Sequence, residues 1–318
     1  MKVLLAAHEG EAFFDLLDDL PIPGLEIARA STPDEIATEL SDTEIYYGYP
    51  TAETRAAAPA LRWIQSPSAG VEHVARIPSL VESEVIVTNT RGAHGPSIGE
   101  HVFALLLAHT RRLPSCLDWQ RKHHWGRVEG YRTAREIMGS TMGIIGFGAI
   151  GRGVAQRALG FEMRLLAVDA RAVDGEPYLD EVWPVSRLPD LLEQSHAVVV
   201  TAPYTAESHH LLDADMLARM RPDAYLIVVS RGGIVDEAAL AGSLRAGRLA
   251  GAALDVTETE PLPTDSPLWD VPNLIITPHL AGASAEKERR CVEIFRDNLL
   301  RFSNDEPLHN VVDKRLGY

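Results

Sequence analysis

Three polar residues stand where apolar runs stop. Arg231 lies in VVSRGGIVDE, Glu260 in LDVTETEPLP, and His279 closes the apolar stretch of NLIITPHLAG. A guanidinium is a planar fork of donors that grips a carboxylate and polarises a carbonyl. An imidazole titrates near neutral pH, so it can give or take a proton under working conditions. A carboxylate on the far ring nitrogen fixes the tautomer and stabilises the imidazolium. Singly, each residue has a plain reading: a surface ion pair, a solvated loop acid, a structural histidine. Together they make a set that can hold an organic anion and move a proton.

Such a set needs rigid elements behind it, and the chain supplies a βα rhythm. Strands are predicted at Lys2–Ala7, Leu25–Ala30, Glu44–Tyr49, Arg62–Gln65 and Val85–Asn89. The style then changes at Gly95-Pro96-Ser97, which leads into the long apolar helix IGEHVFALLLAHTRRL, with Ser97 and Glu100 in capping-box spacing. A polar, aromatic and basic stretch of poor periodicity follows, DWQRKHHWGRVEGYRTARE. From Thr141 the rhythm returns, with strands expected at Thr141–Ile145, Met163–Val168, Ala197–Thr201, Tyr225–Val229, Gly251–Val256 and Leu274–Thr277. A last helix from Ala285 to about Phe302 is followed by NDEPLHNVV, which can run back to the first domain. The expected fold is α/β with two doubly wound parallel-sheet domains, one inserted into the other: residues 1–96 with 284–318, and residues 97–283. In open α/β sheets ligands bind beyond the C-terminal ends of the strands, where Arg231, Glu260 and His279 fall.

The stretch MGIIGFGAIG places Gly146, Gly148 and Gly151 in GxGxxG spacing. Alone this is a weak pattern, but an apolar strand precedes it, a helical run over 150–159 follows, and a second strand ends in Asp169. That is a dinucleotide fingerprint. Gly146 permits the tight turn, Gly148 lets a pyrophosphate approach the backbone, and Gly151 lets helix and strand pack closely. The N–H groups of Ala149 and Ile150 face the phosphates at the helix start, and Arg152 can add charge. Asp169 accepts from the adenosine ribose and repels a 2′-phosphate, so NAD is expected over NADP, a preference Arg171 can soften.

Composition narrows the partners. The 318 residues, 46% of them apolar, suffice for two domains with sizeable cores. A net charge of −15 argues against nucleic acid or an anionic membrane surface as partner. Cys116 and Cys291 fit no metal or redox spacing, MKVLLAAHEGE reads as a first strand instead of a signal peptide, and no apolar stretch approaches a membrane span. A cytoplasmic protein is expected. No metal site is expected either: HExxH is absent, and His123-His124 and His209-His210 are adjacent pairs that cannot share one helical face.

With a nicotinamide cofactor the three polar residues form one machine. Reducing a 2-keto acid needs a cation on the carboxylate and carbonyl, and a proton for the oxygen that gains charge as hydride arrives. Here the sequence resembles the D-isomer-specific 2-hydroxyacid dehydrogenases along nearly its whole length. SAGVEH (68–73) looks like that family's substrate-carboxylate loop, GFGAIG its NAD motif, SRGGIVDE the carrier of its arginine, DVTETEPLP of its glutamate and TPHLAG of its proton-donor histidine. The resemblance implies that Arg231, Glu260 and His279 are catalytic and that Ala69, Gly70 and Val71 with Arg231 bind the substrate. It further implies that Val229, Ser230, Asp255 and Gly282 join Gly146, Gly148, Ala149, Ile150, Gly151 and Asp169 at the cofactor, with Asp255 at the nicotinamide end. The domains become a flavodoxin-like substrate domain and a Rossmann NAD-binding domain. A homodimer is implied, held by an arm at about 97–138.

Departures from the family pattern are Glu72 and the residue after Ser195, His196, where aspartates are usual, and Val228, where asparagine is usual; TAPYTAES (201–208) is a loose version of its proline-containing turn. None removes a catalytic group. The Ala69–Val71 backbone is expected to form an anion nest facing Arg231. Beyond the carboxylate, Tyr46, Tyr47, Tyr49, His94 and Trp125 or Trp269 either line the side-chain end of the pocket or are half-buried strand and interface residues. A small 2-keto or 2-hydroxy acid such as glyoxylate or hydroxypyruvate is expected. The alternatives are a dehydrogenase acting on formate or phosphite, the former opposed by Glu260 where formate enzymes usually carry glutamine, and an NAD-sensing scaffold like the corepressors that share the fold.

Overall fold

Two wholly parallel sheets organise the chain in the computed structural model, which describes residues 1–318 except Glu72, Asp174, Gly175, Asp180 and 316–318. The departure noted at Glu72 lies outside the described residues. The first sheet holds β1 (Lys2–Leu5), β2 (Glu26–Arg29), β3 (Ile45–Tyr47), β4 (Trp63–Gln65) and β5 (Ile86–Thr88) in the order β2-β1-β3-β4-β5. The second holds β6 (Thr141–Ile145), β7 (Arg164–Asp169), β8 (Trp183–Pro184), β9 (Ala197–Val200), β10 (Tyr225–Val228), β11 (Gly251–Leu254) and β12 (Leu274–Ile276) in the order β12-β11-β10-β9-β6-β7-β8. The chain separates into two compact units, Met1–His94 with Ser284–Tyr318, and Gly95–Ala283.

In the second unit the central strands read as unbroken apolar runs because helices cover both faces. Successive residues go to opposite sides: Val198, Val200, Leu226 and Val228 enter one core, Val199 and Ile227 the other. Each such side chain contributes about 1.5–3 kcal/mol on full burial, so the strand tips project from a stiff platform. The order reverses between β6 and β9, where the glycine turn leaves the sheet, and such a reversal opens a crevice at the strand ends. The strand β8, which periodicity does not reveal, is two residues long and tolerates Pro184 because it lies at the sheet edge.

In the first unit the Ala285–Ser303 helix starts on Ser284, whose side chain accepts from the Lys287 N–H. It buries Val292, Phe295 and Leu299, with Phe295 4.9 Å from the ring of Tyr47 and 5.3 Å from Trp63. Asn298, fully buried, donates to Gln65 and to the His309 carbonyl and accepts from the His309 N–H. The tail it pins reaches β5, where Val312 N–H donates to the Val87 carbonyl. Tyr46 and Tyr47 are 4% and 0% exposed in β3 and pack into separate core clusters; Tyr49 stays 43% exposed.

Two expectations, about the Gly95–Thr110 helix and the stretch after it, need correction. The helix begins before Ser97, because Pro96 sits in the first turn, where its missing N–H has no intrahelical partner to lose. The Ser97 hydroxyl donates to the Gly282 carbonyl, and Glu100 pairs with Arg157. The stretch that follows is also not irregular. It forms helices at Leu113–Arg121 and Arg127–Thr133, whose apolar side chains Leu113, Leu117, Trp125, Val128 and Tyr131 at and between them are exposed.

Candidate active site

The glycine turn joins β6 to the Ala149–Gly160 helix. Gly146 has φ +91°, and a Cβ on it would lie 2.6 Å from the Ala202 nitrogen. A Cβ on Gly151 would lie 2.3 Å from the Gly146 carbonyl oxygen, so helix and turn meet backbone to backbone. Over Gly148 the space is open, with nothing within 4 Å of a built Cβ. Gly148 stands at the helix N-cap with no side chain capping the first turn, which leaves the Ala149 and Ile150 N–H groups for an anion. Thr201 ties the turn to β9 by donating to the Gly146 carbonyl. Arg152 pairs with Glu176 and lies 4.8 Å over the Phe147 ring, so its charge is already compensated beside the turn.

Asp169 ends β7, and its carboxylate accepts from the N–H of Phe147 at 2.7 Å and of Arg171 at 2.9 Å. Two backbone donors thus fix a negative charge where an adenosine ribose ends in such folds. The close glycines, the open cradle and the placed carboxylate fit a dinucleotide.

The tips of β10, β11 and β12 are adjacent because the strands are. After β10, Val229 and Ser230 are buried and the Arg231 guanidinium donates to the Ser230 carbonyl at 2.7 Å. Gly232 follows where only glycine fits: a Cβ would stand 2.0 Å from the Thr257 carbonyl oxygen. After β11, Glu260 Oε1 accepts from the Thr257 N–H at 3.1 Å, which aims Oε2 outward. After β12, His279 adopts φ +50°, a left-handed conformation that costs a side-chain-bearing residue about 1–2 kcal/mol. Its Nδ1 lies 2.7 Å from Glu260 Oε2, with the two side chains 50% and 37% exposed. Nδ1–H donating to the carboxylate turns Nε2 toward solvent as the nitrogen that exchanges a proton. Negative charge gathers here: burial, with the charges of Glu258, Asp236 and Glu260, raises the carboxyl of Glu237 above the usual range despite an N–H from Glu258.

Asp255 does more than its place in the sequence shows. Its side chain is buried, and its oxygens accept from the Leu280 N–H at 3.1 Å, the Ala281 N–H at 2.9 Å and the Thr277 hydroxyl at 2.5 Å. His101 Nε2 lies 3.4 Å away. Burial opposes ionisation, but hydrogen bonds from His101, Thr277, Ala281 and Leu280 outweigh it and hold the carboxyl below its usual range. The carboxylate is thus committed to the turn that carries His279. His101 and Thr277 escaped the sequence reading; the available signal was His101 four residues after Ser97, two polar side chains on one face of an apolar helix.

Other residues singled out make contacts of their own. In the first unit, the Gly70 N–H turns onto the Ser68 hydroxyl, Asn89 donates to the Ala69 carbonyl, and Val71 is fully buried. Tyr49 donates to Glu9 and lies 6.2 Å, ring to ring, from His73 at the end of that loop. Trp125 is 88% exposed, and Trp269 donates to the Pro263 carbonyl. His196, where the resembled family has aspartate, takes up the strand-end role by accepting from the Thr141 N–H at 3.1 Å.

Residues 103–281 match the family model described as the D-isomer specific 2-hydroxyacid dehydrogenase, NAD binding domain. A glyoxylate reductase from Korarchaeum cryptofilum is 36% identical over 273 residues, spanning 83% of this chain and 80% of that protein. A solved D-isomer specific 2-hydroxyacid dehydrogenase family protein from Aeromonas salmonicida superposes with TM-score 0.87 at 32% identity, over 98% of this chain and 99% of that one. An NADPH-dependent glyoxylate/hydroxypyruvate reductase from Sinorhizobium meliloti, solved with NADP and sulfate, gives TM-score 0.84 at 26% identity over 100% and 99% of the two chains. With an NAD-binding domain of this type behind an arginine, a glutamate and a histidine at three neighbouring strand tips, the chain belongs to the D-isomer specific 2-hydroxyacid dehydrogenase family.

Proposed function

We propose that the protein transfers a hydride between NAD(H) and a small D-2-hydroxy acid or its 2-keto partner. The observation that carries this reading is the 2.7 Å contact between Glu260 and His279 at neighbouring tips of an NAD-binding sheet. The nicotinamide, when bound, supplies or accepts the hydride. In reduction, Arg231 holds the carboxylate and draws electron density toward the carbonyl oxygen. His279 gives its Nε2 proton to that oxygen, and Glu260 stabilises the imidazolium before transfer and keeps the ring oriented after it. Oxidation runs through the same groups in reverse. Gly146, Gly148, Ala149, Ile150 and Gly151 would hold the pyrophosphate, Asp169 the ribose, and Val229, Ser230, Asp255 and Gly282 the walls toward the nicotinamide. The fixed charge of Asp169 supports NAD over NADP, although the Sinorhizobium neighbour is solved with NADP.

Glyoxylate and hydroxypyruvate are the substrates that best suit the site. The Korarchaeum relative is named for glyoxylate and the Sinorhizobium neighbour for both. In the first unit the Ala69–Val71 loop is assigned to the carboxylate. The net charge of −15 disfavours a second anionic group on the substrate. The exposed apolar residues of the two helices after Thr110 support a homodimer. A cytoplasmic site of action accords with the free cysteines, and no helix of the described residues is long and apolar enough to cross a membrane.

The test is NADH oxidation followed by absorbance with glyoxylate, hydroxypyruvate and 3-phosphohydroxypyruvate. Prompt turnover of the first two and weak turnover of the third is expected. Tight NADH binding without turnover of any 2-keto acid contradicts the reading and favours an NAD sensor.

A further inference from the structure

His279 holds a left-handed backbone, and something must keep it there. Its N–H donates to the carbonyls of Asp255 and Thr277, and the two N–H groups that follow it end on the Asp255 carboxylate. This arrangement is as firm as Asp255 and Thr277 themselves. Both are contacted from a distant part of the sequence: His101, on the second turn of the Gly95–Thr110 helix, places Nε2 3.1 Å from Thr277 Oγ1 and 3.4 Å from Asp255 Oδ1. The Thr277 hydroxyl gives its proton to Asp255, so its oxygen is an acceptor toward His101, and the imidazole must present Nε2–H. One helical turn earlier Ser97 donates to the Gly282 carbonyl. The helix therefore grips the 277–282 turn at both ends, on either side of the imidazole and the two N–H groups after it.

We propose that His101 is a positioning residue for His279, acting through Thr277 and Asp255 to keep the imidazole in line with Glu260. The inference rests on the reading of His279 as the proton donor. His101 touches neither substrate nor cofactor in this scheme, so its loss acts first on turnover, with only a small effect on NADH binding passed through Asp255. Its side chain is 16% exposed while that of Asp255 is 1% exposed, so removing the ring admits water to a network that is otherwise closed. A turn displaced by about 1 Å is enough to lower turnover on the order of 100-fold.

The experiment compares His101→Leu, His101→Gln and His279→Ala in the full-length protein, measuring kcat and KM for glyoxylate, NADH affinity and thermal midpoint. The proposal expects His101→Leu to lower kcat about 10- to 100-fold while KM and NADH affinity stay within about 3-fold of wild type. His101→Gln, which keeps an N–H donor at similar reach, should recover a measurable part of kcat. Wild-type kcat in His101→Leu beside an inactive His279→Ala overturns the positioning role and leaves the reading of His279 intact. A His101→Leu loss shared equally by NADH affinity and thermal midpoint, unrelieved by glutamine, also overturns it. Wild-type turnover in His279→Ala removes the reading of His279 and this inference with it.

Discussion

An imidazole donates a proton on cue only when its other nitrogen is held, and here Glu260 does the holding from the next strand tip. Arg231, Glu260 and His279 were visible in the sequence because each is a polar residue placed just beyond an apolar run, where a strand must end. The partners of Asp255 were not, because the contact to His101 joins positions 176 residues from Thr277, and single-sequence periodicity carries no record of such pairings. Asp169 belongs to the same scale. Its carboxylate is fixed by two backbone N–H groups, so in the function proposed above its charge would stand against a 2′-phosphate. Asp169→Ala should narrow the ratio of kcat/KM for NADH over NADPH by about 10-fold or more, an electrostatic and hydrogen-bond loss of about 1.4 kcal/mol per tenfold. A wild-type enzyme that already prefers NADPH contradicts the assignment.

Among elements, the central strands buried on both sides were legible and the two helices with no buried side chain were not. The runs that became β6, β9, β10 and β11 are apolar apart from Thr141 at the start of β6, as strands covered by helices should be. The helices at Leu113–Arg121 and Arg127–Thr133 gave no helical period because their apolar residues find no core in the chain's own fold. The start of the Gly95–Thr110 helix was misplaced because serine followed by glutamate three residues on is a statistical signal, whereas the proline in its first turn fixes the backbone outright. The homodimer proposed above would cover Trp125 and Tyr131, which are 88% and 85% exposed. Trp125→Glu with Tyr131→Glu should convert a homodimer to a monomer in sedimentation equilibrium while each chain stays folded by circular dichroism. A dimer that survives both charges contradicts a role for these helices in assembly.

At the scale of the whole molecule, two parallel sheets divide the work of folding, and the chain enters its second unit at Gly95 and returns at Ser284. The net charge of −15 repels anions at long range, so recognition of an organic acid must come from local donors within a Debye length of about 8 Å at physiological salt. In the function proposed above Arg231 and backbone N–H groups supply those donors, and the Glu260–His279 pair supplies the proton. Turnover of glyoxylate by His279→Ala, measured beside its NADH affinity, probes that pair directly. The expected result is a fall in kcat of about 100- to 10,000-fold, the usual worth of a general acid, with NADH affinity within about 3-fold of wild type. Turnover that persists at the wild-type level would show that some other group supplies the proton.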